Sequence, residues 1–184
     1  QHYGFKKTTI DEIAADAGVG KGTVYLHFDS KDDILRTLAI EVKRNVTAQM
    51  EAIAGSLTPA DQKIRRMMLA AILSVHDAAR TTSHGAELVD ELLRPQISAC
   101  GQAERERQIA LLAQVLDDGA RRGELTLPPE LPAQESATHL LLAMLPFFPP
   151  YLNPCHGAAG CRTDLERRAD AMLAFLLHGL RARS

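Results

Sequence analysis

Four side chains that can donate hydrogen bonds lie close together near the start of the 184-residue chain: Lys21, Thr23, Tyr25 and His27. A lysine can reach phosphate or guanine, and a threonine offers a hydroxyl together with a methyl suited to thymine. The tips of tyrosine and histidine can meet phosphates, and Gly22 lets the backbone come close to such a ligand. These residue types, so closely spaced, predict a contact with DNA.

A short, protruding helix must carry these side chains if they are to enter a DNA major groove, which is about 12 Å wide. Val24 and Phe28, four residues apart, are predicted to face inward and to hold a helix over residues 21–28 on its support. The glycines in residues 17–20 predict a turn, and Thr9 with Glu12 forms the capping box of an earlier helix. Two short helices joined by a glycine turn are typical of the helix-turn-helix motif that binds DNA.

The rest of the chain predicts longer helices, because apolar residues recur at spacings of three and four and polar capping residues precede them. Pro59 is expected at the first helical position of its helix, and Thr163 is expected to cap the last one. No segment alternates with period two, so the fold class is predicted to be all-α. The predicted helices after the first two cover residues 31–50, 59–75, 83–93, 102–122, 133–145 and 163–180.

The charge of the chain does not indicate a nucleic-acid partner, since the formal net charge is -2. Residues 1–45 contain seven Lys or Arg and seven Asp or Glu, so any DNA binding must depend on where the charges are placed. Three cysteines do not make a disulfide framework, and the apolar run at 140–145 is too short to span a bilayer. With no visible signal peptide, we expect a cytoplasmic protein that does not contact a membrane.

Residues 8–38 contain the segments TTIDEIAADAGVGKGTVYLHF and SKDDIL, whose order, spacing and character closely resemble the N-terminal domain of the tetracycline-repressor (TetR) family. The resemblance implies a DNA-binding transcription regulator. It places Lys21, Gly22, Thr23, Tyr25 and His27 on the recognition helix. It also implies that two residues at helix starts, Thr9 and Lys31, touch the phosphate backbone.

The sequence departs from the family pattern at two places. The family normally has a helix before this motif, whereas only residues 1–7 precede it here. We therefore expect the segment around Gln1 to be truncated or disordered rather than to belong to a different fold. Gly20 stands where the family often has serine, which predicts slightly weaker capping of the recognition helix.

The resemblance divides the chain into a DNA-binding domain at residues 1–45 and a helical effector-binding and dimerisation domain at 46–184. Residues 133–145 are apolar on nearly every side, more than one core face can absorb, and the final helix has a broad apolar stripe. We therefore predict a homodimer through the last two helices, with a monomeric core helix as the alternative.

The central helices are rich in Met and Leu, which suit an adaptable apolar pocket. Most of these residues must be ordinary core, and the two polar candidates, His76 and His139, are more simply explained as core or surface histidines. We expect no cofactor and a small, largely apolar effector. The candidate ligand residues are Met67, Met68, Ile72, His76, Leu92, Leu112, Leu116 and His139.

Cys155, His156 and Cys161 could converge on a metal, but their spacing fits no standard zinc pattern and a fourth ligand is not evident. We therefore predict no metal site. No nucleophile elbow, phosphate loop or metalloprotease motif is present in the sequence, so we expect no enzyme. The predicted function is a repressor released from its operator by the effector. Three alternatives remain open: a regulator that needs no effector, an activator, and a helical interaction protein that does not bind DNA.

Overall fold

The computed structural model describes residues 9–81, 88–89, 92, 99–148 and 161–180. The predicted all-α fold is confirmed, and the predicted helix over 83–93 lies largely outside the described residues, although Leu88, Val89 and Leu92 are helical. The helices are α1 (Ile10–Asp16), α2 (Lys21–His27), α3 (Lys31–Ala54), α4 (Ala60–Thr81), α5 (Ala99–Arg121), α6 (Ala133–Met144) and α7 (Cys161–His178), with a 3-10 turn at Leu145–Phe147.

Local sequence signals set several of the helix ends. The Ser30 hydroxyl accepts a hydrogen bond of 3.2 Å from the backbone N–H of Asp33, which caps α3 as its polar start predicts. After α5, Gly123 adopts a φ of 71°, and the Glu124 N–H then bonds to the Gly119 carbonyl at 2.9 Å. This left-handed ending is the Schellman arrangement that glycine favours.

Three predicted helix starts are wrong. Helix α5 begins at Ala99 rather than at Gln102. The last helix begins at Cys161 rather than after a Thr163 cap, because Cys161 is buried and Arg162 bonds Asp77 of α4 at 3.0 Å. These contacts favour a helical turn earlier than the capping pattern indicates. Pro59 lies just before α4 rather than at its first position, and its carbonyl accepts the Lys63 N–H at 3.0 Å.

The main core lies between the C-terminal half of α3 and the later helices α4 to α7. Its centre is fully buried, as the side chains of Met50, Ile64 and Leu173 show. Helices α4 and α5 approach each other closely, since a Cβ on Gly119 would lie 2.5 Å from the Cβ of Ala60. Glycine is therefore required by packing at this crossing.

A second, smaller core lies beneath the N-terminal half of α3. It consists of the buried residues Leu35, Ala39, Leu88 and Leu92. Partly buried side chains of α1, α3 and α4 pack against it, namely Ile13, Val42, Val75 and Ala78. This small core therefore attaches the helix-turn-helix segment to the rest of the chain.

Helix α3 is continuous from residue 31 to residue 54 and so crosses the predicted boundary at residues 45 and 46. Its first half contributes to the small core and its second half to the main core. The division into two domains stays a prediction, but any such domains share this helix. A rise of about 1.5 Å per residue gives α3 a length of roughly 36 Å.

Ion pairs hold α7 antiparallel to α4. Arg65 donates to both carboxylate oxygens of Asp170, with two contacts of 2.6 Å, while Arg162 bonds Asp77 near the opposite end. In the described part of the chain, no helix is long and apolar enough to cross a membrane.

Candidate nucleic-acid interface and ligand cavity

The turn between α1 and α2 depends on Gly18, whose φ of 68° lies in the left-handed region. The Gly18 N–H bonds to the Ala15 carbonyl at 3.1 Å, and the Val19 N–H bonds to the Ala14 carbonyl at 2.9 Å. These are the two bonds of a Schellman ending. They redirect the chain within a few residues, so that only residues 17–20 separate α1 from α2 and the two helices pack against each other.

The predicted capping box at the start of α1 is confirmed. The Glu12 N–H donates to the Thr9 hydroxyl at 3.3 Å, and the Glu12 carboxylate accepts from the Thr9 N–H at 2.7 Å. The carboxylate also accepts from the Thr9 hydroxyl at 3.2 Å. Thr9 is exposed, but any phosphate contact that it makes must compete with this neighbouring negative charge.

One side of α2 is buried and the others face solvent. Val24 is the buried residue of this helix, whereas Phe28 follows its last residue and is only partly buried. The residues of α2 that were predicted to contact DNA all lie on its exposed sides, and Tyr25 is half exposed. They are Lys21, Gly22, Thr23, Tyr25 and His27. The structure therefore presents these five residues on an accessible surface, and their contact with DNA stays a prediction.

The N-terminus of α2 has no side-chain cap. Gly20 occupies the capping position and offers no side chain to accept a hydrogen bond, as its sequence position predicts. Lys31 is the first residue of α3, where Ser30 caps the helix, and it is partly exposed. Lys31 therefore lies at a helix start, as the phosphate-contact prediction requires.

An ion pair between α1 and α2 alters the charge of this surface. The Lys21 Nζ donates to the Asp11 carboxylate at 2.7 Å, and both side chains are more than half exposed. This hydrogen bond and the attraction of the carboxylate raise the pKa of Lys21 above its usual value. Lys21 is thus charged at neutral pH, but an anion already accompanies it.

Sequence reasoning missed Asp11 and Leu26 as parts of this surface. Asp11 precedes Lys21 by ten residues, so only the fold of the turn brings their side chains together. Leu26 is 82% exposed on α2. Its exposure follows from helix periodicity, because a residue two positions from the inward-facing Val24 points to the opposite side.

A cavity of about 310 Å³ lies among α3, α4, α5, α6 and Leu92. Its wall is mainly apolar, with Val46, Val75 and Phe148 among the side chains that line it. Two basic residues, Arg105 and Lys43, are also among the residues that line it. This combination suits an apolar ligand that carries a negatively charged group.

A larger cleft of about 500 Å³ runs between α3 and α4 and reaches Arg162. Polar side chains, including Asn45 and Asp77, supply much of its wall. The Gln49 amide and the Ser74 hydroxyl on this wall already bond each other at 3.2 Å. The 310 Å³ cavity therefore suits an apolar ligand better than this larger cleft does, because its wall is less polar.

The residues predicted to bind a ligand are not gathered around the cavity. Only Leu92 lies on its wall. Five others are completely enclosed in the main core, as Met67, Met68, Ile72, Leu112 and Leu116 have at most 1% of their surface exposed. Their roles as ligand residues stay untested predictions, and their positions indicate packing.

The two candidate histidines lie apart from the cavity wall. His76 is buried on α4, and its Nδ1 lies 3.2 Å from the Asp77 carboxylate. His139 is exposed on α6, with its Nδ1 2.8 Å from the Glu135 carbonyl.

The candidate metal ligands are only partly within the described chain. Cys161 is buried on α7, whereas Cys155 and His156 lie outside the described residues. Across the residues that the structure describes, no group of three His, Cys, Asp or Glu side chains is placed to hold a metal.

Residues 1–38 match the family of bacterial regulatory proteins known as the tetR family. The fatty acid metabolism regulator of Bacillus subtilis is 29% identical over 126 residues, which are 66% of this chain and 62% of the relative. A second regulator of the helix-turn-helix type from that organism is 43% identical over 53 residues, or 27% and 28% of the two chains. The chain thus spans less than two thirds of these relatives.

Solved structures of regulators share the fold over nearly the whole chain. A transcriptional regulator from Cytophaga hutchinsonii has a TM-score of 0.74 at 20% identity, covering 98% of this chain and 91% of its own. The regulator FadR of Bacillus subtilis, solved with stearoyl-CoA, has a TM-score of 0.69 at 22% identity, covering 96% and 90%. The helix-turn-helix segment of this chain is thus similar to that of the TetR family of bacterial regulatory proteins, and the whole chain shares the fold of such regulators.

Proposed function

We propose that this protein is a transcription regulator that binds operator DNA through α2 and is released by a small ligand. The observation that carries the proposal is the exposed row of polar side chains on α2, supported from behind by the buried Val24. The match of residues 1–38 to the TetR family supports the same function. DNA binding would place the protein in the bacterial cytoplasm, and we propose no catalytic role.

Two copies of α2 are needed to read two half-sites of an operator. The outer surfaces of α6 and α7 favour such a homodimer, because large apolar side chains are exposed there. Phe175 is 76% exposed and Met172 40% exposed on α7, while Leu142 on α6 is 45% exposed. Burying these surfaces against a second copy would place two recognition helices about 34–36 Å apart, one DNA turn.

The 310 Å³ cavity is the proposed effector site. Its apolar wall and its Arg105 and Lys43 side chains suit a ligand with an apolar chain and an acidic group. The structure of FadR with stearoyl-CoA shows that a protein of this fold can hold such a ligand. We therefore propose an acyl thioester of coenzyme A or a related amphipathic anion.

The structure offers a short physical route from the cavity to the DNA-binding surface. Leu92 lines the cavity and also belongs to the small core, which Ile13 of α1 contacts. Val42 of α3 likewise touches both. A ligand that displaces Leu92 or Val42 would shift α1 and the start of α3, so the two recognition helices would no longer match both half-sites.

Replacing Lys21 and Tyr25 together by alanine tests the DNA-binding surface. We expect at least about a hundredfold loss of affinity for a duplex selected from random-sequence DNA, because each dimer loses four contacts. Fluorescence anisotropy measures the binding, and light scattering checks that the dimer persists. The control Arg121→Ala, on the distant end of α5, should bind normally. A double variant that binds as the unmodified protein does would show that α2 is not the contact surface.

The Asp11→Asn substitution tests the ion pair with Lys21. Removing the carboxylate frees Lys21 for phosphate and removes a repulsive charge, so operator affinity should rise about two- to fivefold. The dependence of log affinity on log salt should steepen by about one per protomer, because one more counterion is released. Anisotropy titrations at several salt concentrations measure both effects. Asp117→Asn, which breaks an exposed pair on α5, is the control, and equal slopes for both variants would contradict the prediction.

Phe175→Glu tests the proposed dimer surface. In the proposed dimer each protomer would bury one glutamate in an apolar interface, and this loss of solvation is costly. The protein should therefore become monomeric at micromolar concentration. Light scattering after gel filtration gives the mass. Leu57→Glu is the matched control, because Leu57 is fully exposed and lies outside α6 and α7. If Phe175→Glu remains a dimer, the interface lies elsewhere.

Thermal melts with acyl-CoA esters of increasing chain length test the effector site, with coenzyme A alone as the reference. A bound ester should raise the Tm, because ligand binding stabilises the folded state by mass action. Arg105→Ala should weaken binding about five- to tenfold. Arg107→Ala, whose side chain pairs with Glu51 instead, should not. If no ester raises the Tm of the unmodified protein, the effector class is wrong and a regulator without an effector is favoured.

A further inference from the structure

Leu26 occupies the outermost position of α2. Each helical residue turns the side-chain direction by about 100°, so Gly22 and Leu26, two residues on either side of Val24, both point away from it. Val24 is buried, and Leu26 is accordingly 82% exposed. Gly22 faces open space, since a Cβ built on it would meet no atom within 4 Å.

Because Gly22 has no side chain, Leu26 is the most prominent side chain on the side of α2 that points away from Val24. Helical side chains lean toward the N-terminus, so the Leu26 side chain extends over the turn that contains Gly22. No side chain of Gly22 stands between it and an approaching ligand. Thr23 and Tyr25 lie on either side of this line and are exposed as well. The most prominent point of the proposed DNA surface is therefore an isobutyl group surrounded by hydrogen-bonding groups.

A single exposed leucine is ordinary on a protein surface, and its position on the helix is what gives this one significance. A helix that enters the major groove presents its outermost residue to the base edges. The apolar group available there is the C5 methyl of thymine. Building on the proposed function, we propose that Leu26 contacts a thymine methyl in each half-site and so selects thymine at one operator position.

The test uses deoxyuridine, which differs from thymidine only by the missing methyl. An operator duplex is first selected from random-sequence DNA with the unmodified protein, and each thymine in a half-site is then replaced singly by deoxyuridine. The unmodified protein should lose about fourfold in affinity at one position, the effect of one buried methyl group, and about fifteenfold when both half-sites are changed.

Leu26→Ala should bind the unmodified operator more weakly and should show no loss at that one position. It should keep any sensitivity to deoxyuridine elsewhere in the half-site. The fully exposed Leu57 offers the matched control, because Leu57→Ala removes the same group outside α2. That variant should repeat the deoxyuridine profile of the unmodified protein. Circular dichroism checks that each variant has the same helix content.

Three results would count against the proposal, and they are distinguishable. If the unmodified protein selects no DNA sequence, the proposed function fails and the inference fails with it. If it selects an operator but no deoxyuridine position weakens binding, DNA binding holds and thymine reading is wrong. If Leu26→Ala keeps the fourfold loss, a different side chain contacts the methyl.

Discussion

The packing of α3 against two separate cores is the constraint on which the rest of the structure depends. Leu35 and Ala39 belong to the small core, whereas Val46 and Met50 are buried in the main core. Because all four lie on one uninterrupted helix, neither end of α3 can rotate or slide without disturbing the packing at the other. The position of the helix-turn-helix is thereby tied to the main core, since Ile13 of α1 packs against the small core to which the first half of α3 contributes.

For the proposed binding of DNA, the positions of the charged residues matter more than the net charge. Acidic and basic residues balance over residues 1–45, and Asp11 accompanies Lys21 on the proposed contact surface. A surface of this kind has little general attraction for a polyanion, so hydrogen bonds and shape must provide most of the discrimination. If α2 binds DNA as proposed, the pairing of Lys21 with Asp11 would also limit binding to incorrect sequences, where no further contacts offset the loss of this ion pair.

Local signals predicted much of the fold. The capping pairs at Thr9 and Ser30, and the glycine turn at Gly18, act within a few residues, so the sequence shows them directly. The inward position of Val24 follows from helix periodicity for the same reason. Thr163 shows the limit, because contacts of Arg162 with a distant helix move the start of α7.

The cavity proposed as the effector site was less predictable than the helices. Methionine and leucine patterns identify buried side chains, but they do not distinguish a solid core from the wall of a cavity. Met67 and Ile72 are completely buried, whereas Val46 and Val75, which periodicity marks equally as apolar, line the space. The difference depends on how α3, α4 and α5 are spaced, which is a property of the assembled helices.

The attachment of α2 by one buried residue has a consequence for the folding of the free protein. Val24 supplies the buried apolar surface of a seven-residue helix, and such a short helix has little stability of its own. We expect its amide hydrogens to exchange with solvent far faster than those of α4 or α5, through local opening rather than global unfolding. Association with DNA would then also complete the ordering of the recognition helix, and the entropy lost in that step would appear as a reduced affinity.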